Sequence, residues 1–484
     1  MIGVAPPLKL LAFPGLLMGS IQIVFGILSA FVFDDNIAHL FVFPALASIL
    51  ISIILFTRSG RGGLDQIGIR ESIFYVSYTW LVCGVLGAIP IQLIEHVSFT
   101  DSVFESISAL TTTGATILSN LDDQPKSFLM YRQFLQWIGG LGVIIFVVAI
   151  LPMLNIGGMK ILRAETPGPI KDDKLAPRIA NSAQYFWYIY LTITLLCCIG
   201  YVMAGMNWFD AIAHSFTTVS TGGFSTHDAS IGYFNSSWVE VNADIFMLLG
   251  AISFSLHFRF FNSLSINTYA KDEETRSFIF LVLIFSVGLA LILIANKQFD
   301  LFSENISKSI FMLISFITST GFGEGDFTNW PPVTSLIFVF AAYLGGCSGS
   351  TAGGNKIIRN VISFKLFTKQ IKQLIHPNGV FSIRYNGSIV NNDILSSTMV
   401  FLSISLIVSI FIALLLMSTG LDFWSAFSAV SACINVSGPA FGELSNNFQP
   451  VTDFGIWILS MTMLLGRLEF LTLLVIITPH FWKS

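Results

Sequence analysis

Four short stretches of this chain combine hydroxyl side chains and glycine in an order suited to holding a bare cation. They read Thr111-Thr112-Thr113-Gly114-Ala115-Thr116, Val219-Ser220-Thr221-Gly222-Gly223-Phe224, Thr318-Ser319-Thr320-Gly321-Phe322-Gly323 and Asn435-Val436-Ser437-Gly438-Pro439-Ala440. A dehydrated potassium ion needs oxygen ligands in place of its water, and backbone carbonyls supply them without a full charge that would hold the ion too long. Glycine permits positive φ, so successive carbonyls can turn toward one axis. Ser and Thr satisfy neighbouring backbone groups and add hydroxyl oxygens. Spacing gives the ion-holding set as Thr112, Thr113 and Gly114; Ser220, Thr221 and Gly222; Ser319, Thr320 and Gly321; and Val436, Ser437 and Gly438. Any one stretch reads equally well as a glycine cap on a short helix. Four copies at a long, near-regular period argue for a shared site.

Two more features place breakage or charge inside apolar runs. Gly345, Gly346, Cys347, Ser348, Gly349, Ser350, Thr351, Ala352, Gly353 and Gly354 interrupt one run with a composition that opposes a continuous helix. The functional reading is a mobile loop that blocks the path from inside; the plain one is a close-packed kink. Arg467 lies in the last apolar run, and an arginine there rarely faces lipid. It reads as an electrostatic barrier below the four stretches, or as the partner of Glu469. His214 reads as a packed residue, and His227 and Asp228 as shaping an outer loop. Glu105 is equally an ion-sensing group or a partner for nearby backbone.

These groups require a membrane scaffold. Of the 484 residues 54% are apolar and only 11% charged, too few charges for a water-facing surface. Runs such as Leu40–Phe56, Phe278–Ala295 and Met399–Met417 approach or reach the length that crosses hydrocarbon. After two such spans a unit recurs: a long span, a half-length stretch ending in Ser/Thr and Gly, an acidic loop, and a second span. The half-length stretches (Asp101–Leu110, Asp210–Thr218, Asn305–Ile317, Asp422–Ile434) cannot cross and are expected to be re-entrant. Their irregular continuations at membrane depth must be buried in protein or line a watery cavity. The fold expected is an all-α integral membrane protein with four tandem span–pore-helix–span repeats around a pseudo-fourfold pore, preceded by two extra transmembrane helices. The division is 1–68, 69–178, 179–272, 273–388 with an interrupted inner helix, and 389–484. One set of loops is basic (Arg58 and Arg61; Lys160, Arg163, Lys171 and Lys174; Lys365, Lys369 and Lys372) and the alternate set acidic (Asp122, Asp228, Asp326, Glu443). Basic loops stay in the cytoplasm, so the amino terminus is cytoplasmic. The five cysteines show no metal-ligand spacing and read as packing residues.

The chain resembles the TrkH branch of the bacterial Trk/Ktr/HKT potassium transporter family over nearly its whole length. The phrases that carry the resemblance are Thr111–Thr116, Gly222 through Asp228, Gly345 through Gly354, and Gly466-Arg467-Leu468-Glu469. It implies potassium uptake through a gated, channel-like pore in the bacterial inner membrane. It also implies a homodimer and a cytosolic, nucleotide-binding TrkA-type ring. No covalent cofactor and no nucleic-acid partner are expected, potassium is the transported ion, and nucleotide belongs on the ring. The fourth stretch departs from the family's usual Asn-Leu-Gly-Pro-Gly-Leu-Gly, reading Val436-Ser437-Gly438-Pro439-Ala440-Phe441-Gly442. With one glycine matching across all four repeats, discrimination against sodium should be weaker than in a tetrameric potassium channel. An alternative couples potassium to sodium or proton influx. An enzyme would need clustered reactive groups at one depth, and neither these nor a Walker-type loop is present.

Overall fold

A backbone in hydrocarbon must satisfy its own hydrogen bonds, so apolar length becomes helix. The computed structural model describes residues 8–58, 69–145, 175–468, 475–476 and 478–482, and these are mostly helical. Glu469, Arg61, Lys160, Arg163, Lys171 and Lys174 lie outside the described residues.

Helices α1 (Leu8–Leu28) and α2 (Ala38–Arg58) pack on each other and then on the first helix that follows them. One series of elements follows four times. The first is α3 (Ile69–Glu95), half-length α4 (Phe99–Leu110) and α5 (Lys126–Ile145). The second is α6 (Leu175–Met203), half-length α7 (Trp208–Val219), and α8 (Ser237–Ala251) with α9 (Phe254–Ser263). The third is α10 (Glu273–Ala295), half-length α11 (Phe302–Ile317), α12 (Pro332–Leu344) and, after a break, α13 (Ile357–Ile375). The fourth is α14 (Asn392–Met417), half-length α15 (Phe423–Ile434) and α16 (Asp453–Arg467). Six described helices, α1, α2, α3, α6, α10 and α14, are long and apolar enough to cross a membrane.

Three of the four half-length helices begin where a side chain caps them. Ser98 Oγ accepts the Asp101 N–H, Asn207 accepts the Asp210 N–H, and the Asp422 carboxylate accepts the Trp424 and Ser425 N–H groups. Asp101 and Asp210 sit in the first turn, where a negative charge suits the helix dipole. The third has no side-chain cap, only Glu304 in its first turn.

The repeats close on themselves. The second helix of each repeat packs against the next half-length helix: α5 on α7, α8 on α11, α12 on α15, and α16 back on α4. Repeats two and three share one apolar core, and repeats four and one share another. The half-length helices are exposed in their first turns and mostly buried beyond them.

The second repeat differs from the plain inner span expected from sequence. Its inner helix bends by 99° between α8 and α9. The groups freed by the bend pair with the glycine-rich break: Phe254 N–H donates to Gly349 O at 3.0 Å, and Cys347 N–H to Ala251 O at 2.8 Å.

Candidate functional site: four turns and a glycine-rich floor

Each half-length helix ends in the same turn. After the capping residue (Thr111, Ser220, Thr318, Asn435) comes a residue in the left-handed region: Thr112 at φ 56°, Thr221 at 53°, Ser319 at 55° and Val436 at 58°. The next residue donates its N–H back into the helix: Thr113 to Ser108 O at 2.9 Å, and Gly222 to Thr217 O, Thr320 to Ser315 O and Ser437 to Ala432 O at 2.8 Å. A positive-φ glycine follows: Gly114 at 80°, Gly223 at 78°, Gly321 at 78° and Gly438 at 84°. A left-handed Thr, Ser or Val costs about 1–2 kcal/mol, so four at one register mark a turn held against its preference.

This geometry corrects one register. Spacing paired Gly222 with Gly114, Gly321 and Gly438, but Gly223 occupies that place and Gly222 is the counterpart of Thr113, Thr320 and Ser437. The second set therefore runs Thr221, Gly222 and Gly223, one residue later than the Ser220, Thr221 and Gly222 that spacing predicts. Two glycines in tandem leave the register open in the sequence; the φ angles decide it.

The turns form a ring. A Cβ on Gly114 would run into Gly222 O, one on Gly223 into Thr320 O, one on Gly321 into Ser437 O, and one on Gly438 would lie 2.8 Å from Thr113 O. The four carbonyls are equivalent in register, and each lies against the glycine of the preceding repeat. All four glycines line one cavity of about 430 Å³, which His227 and Asp326 also border.

Behind the first turn lies a buried ion pair. Glu105 pairs with Arg132, whose Nε donates at 3.0 Å, and accepts the Thr116 hydroxyl and the Ile117 N–H. The Arg132 guanidinium also covers the Phe224 ring at 4.2 Å. His214 has both ring nitrogens engaged, with Asp210 O and Ser225 Oγ at 2.9 Å each, which fits a packed residue. His227 pairs with Asp122 and Asp210 and stacks on Tyr233, linking the outer loops of repeats one and two. Burial alone would lower the His227 pKa, but the two carboxylates outweigh it and hold it above 6.5. Asp228 accepts the Leu121 N–H.

On the opposite side of the ring lies the non-helical segment 345–356. Gly345, Gly349 and Gly354 have positive φ, which keeps it from continuing α12. The Gly353 N–H donates to Ser319 Oγ at 2.6 Å, and a Cβ on Gly353 would press on Asn435 O. Thr351 Oγ1 donates to Val219 O at 3.1 Å and Gly250 O at 2.9 Å. The segment thus touches the turns of repeats two, three and four. Glu274 anchors its far side, accepting the Ser348 N–H at 2.7 Å and the Ile358 N–H at 3.0 Å. Nothing in the sequence links Glu274 to this segment.

Arg467 completes the floor. Gly139, Gly250 and Gly466 each nest against the last carbonyl of a half-length helix (Leu110, Val219 and Ile434). The next residue is Gly140, Ala251 and Arg467, so one repeat carries a guanidinium where two carry small residues. Arg467 is 5% exposed and its Nη1 donates to Thr351 O at 2.7 Å; Nε and Nη2 have no partner among the described residues.

Fold and site define a multi-pass membrane protein of the four-repeat, pore-loop class. The family model for TrkH, described as a cation transport protein, matches residues 39–484. The Trk system potassium uptake protein TrkH of Vibrio parahaemolyticus is 43% identical over 419 residues, 86% of each chain. That of Escherichia coli K12 is 40% identical over 461 residues, 94% of this chain and 95% of the relative. The crystal structure of the potassium transporter TrkH from Vibrio parahaemolyticus superposes with a TM-score of 0.90 at 37% identity, covering 98% of this chain and 99% of that one. The chain belongs to the TrkH family. These relatives are named as transporters, not enzymes.

Proposed function

We propose that this chain takes up potassium through a gated, channel-like pore in the bacterial inner membrane. The four turns are its selectivity filter, with Thr112, Thr113, Gly114, Thr221, Gly222, Gly223, Ser319, Thr320, Gly321, Val436, Ser437 and Gly438 presenting the backbone. The observation that carries the reading is the closed ring of Thr113, Gly222, Thr320 and Ser437 carbonyls, each backed by a neighbouring glycine. Such a ring replaces a hydration shell with dipoles instead of charges. The half-length helices aim their negative dipole ends at the same place, which favours a cation. The potassium-uptake names of the relatives support the choice of ion.

Residues 345–354 and Arg467 form the gate. The segment lies directly against the turns, and the incompletely paired guanidinium raises the electrostatic cost of a cation passing it. Opening requires both to move aside, and a cytosolic nucleotide-binding ring of the TrkA type supplies the work. The functional unit is a homodimer, its amino termini cytoplasmic as the basic loops favour. The test is flux of potassium, rubidium and sodium into proteoliposomes. Potassium and rubidium should pass well ahead of sodium, Arg467→Ala should raise the flux, and no change in Arg467→Ala sinks the barrier.

A further inference from the structure

The four ring carbonyls are alike in backbone but not in their partners. Gly222 O accepts a hydrogen bond from Gln136 Nε2 at 2.7 Å, whereas no donor reaches the carbonyls of Thr113, Thr320 or Ser437 among the described residues. The same carboxamide accepts the Phe224 N–H through Oε1 at 3.2 Å. Gln136 therefore grips the second turn on both sides of Gly223. It belongs to α5 of the preceding repeat and is fully buried.

Side-chain volume explains the arrangement. At this register the other turns carry Thr113, Thr320 and Ser437, and the Thr113 and Thr320 hydroxyls bond the hydroxyls of Thr111 and Thr318 at 2.8 Å each. The second turn has glycine and no hydroxyl. A Cβ on Gly222 would lie 2.5 Å from the carboxamide carbon of Gln136. The glutamine thus occupies the space that a side chain fills in the other turns.

We propose that Gln136 is a positioning residue for the ion path, holding the Gly222 carbonyl at a fixed reach and setting discrimination between potassium and sodium. The proposal rests on the filter reading above. Sodium, being smaller, needs ring oxygens to close in on it, and a carbonyl whose oxygen is already tied to a buried side chain resists that movement. The donated hydrogen bond also draws electron density from the oxygen. Releasing the tether should leave potassium conduction in place and improve sodium coordination.

The experiment measures potassium and sodium flux, and the apparent affinity for each, with full-length protein in proteoliposomes. Gln136→Ala and the near-isosteric Gln136→Glu should lower the potassium-to-sodium ratio about five-fold, the factor that about 1 kcal/mol of differential stabilisation gives. Adding Gly222→Ser to Gln136→Ala puts a hydroxyl back into the vacated space and should recover part of the ratio. If Gln136→Ala does not yield folded protein, Gln136→Glu decides. Variants that pass potassium with an unchanged ratio overturn this proposal alone. So do variants in which all cation fluxes fall together, as a merely structural role would give. Wild-type protein that passes no potassium overturns the filter reading as well.

Discussion

Gly222 and Gly223 are adjacent and chemically identical, yet the backbone asks different things of them. Gly223 needs positive φ and zero side-chain volume, because a Cβ would run into Thr320 O. Gly223→Ala should therefore cut potassium flux more than ten-fold in a rubidium-uptake assay, since strain of about 1–2 kcal/mol is added to the clash. At the same scale, Arg132→Met leaves the Glu105 carboxylate buried without its cation. That should cost about 3–5 kcal/mol, seen as a lower melting temperature in detergent, while Glu105→Gln/Arg132→Met should regain most of it. His227 supplies a pH dependence. Its folded pKa is raised, so its contribution is complete below the unfolded value and fades as pH climbs past the folded one. Wild type should lose its melting advantage over His227→Ala between neutral and alkaline pH. The difference should be about 1 kcal/mol or less, because Asp122 is 45% exposed.

At the scale of elements, the half-length helices were the most legible part of the chain. Asp422 is itself a cap, Asp101 and Asp210 fall in first turns that begin two residues before them, and glycines mark the turns beyond the helix ends, because capping, dipole charge and positive φ are local demands. The interruption at Gly345–Gly354 was legible for the same reason. The α8–α9 bend was not: Ile252 and Ser253 are no helix breakers, and the bend persists because a segment about a hundred residues away takes up its backbone groups. Gln136 and Glu274 were missed likewise, since each acts on a backbone distant in sequence. Glu274 invites a test. Glu274→Ala removes the acceptor for two backbone N–H groups, worth about 1.5–3 kcal/mol. Hydrogen exchange over residues 345–358 should accelerate, and basal ion flux of the protein alone in proteoliposomes should rise. Unchanged exchange would show that Glu274 does not hold the segment.

For the whole molecule, the pairing of α16 with α4 joins the last repeat to the first, so four unequal sequences enclose one axis. On the proposed topology, the alternation of basic and acidic loops orients that axis across the membrane. A thiol-labelling experiment checks the orientation, helped by the burial of all five native cysteines. Lys372→Cys should react with a membrane-impermeant reagent only from the cytoplasmic side, and Asp326→Cys only from outside. The reverse pattern would invert the topology and place the glycine-rich segment outside the turns.

The contacts among the four turns run in one rotational sense. Gly114 leans on the second turn, Gly223 on the third, Gly321 on the fourth, and Gly438 on the first. A hoop assembled this way has no loose end at which a disturbance can dissipate. An added methyl group pushes on the turn downstream of it, and that turn pushes on the next. Because all four links belong to one polypeptide, each can be altered alone, and the hoop can be stiffened or loosened a quarter at a time. A channel made of four identical subunits does not offer that graded series.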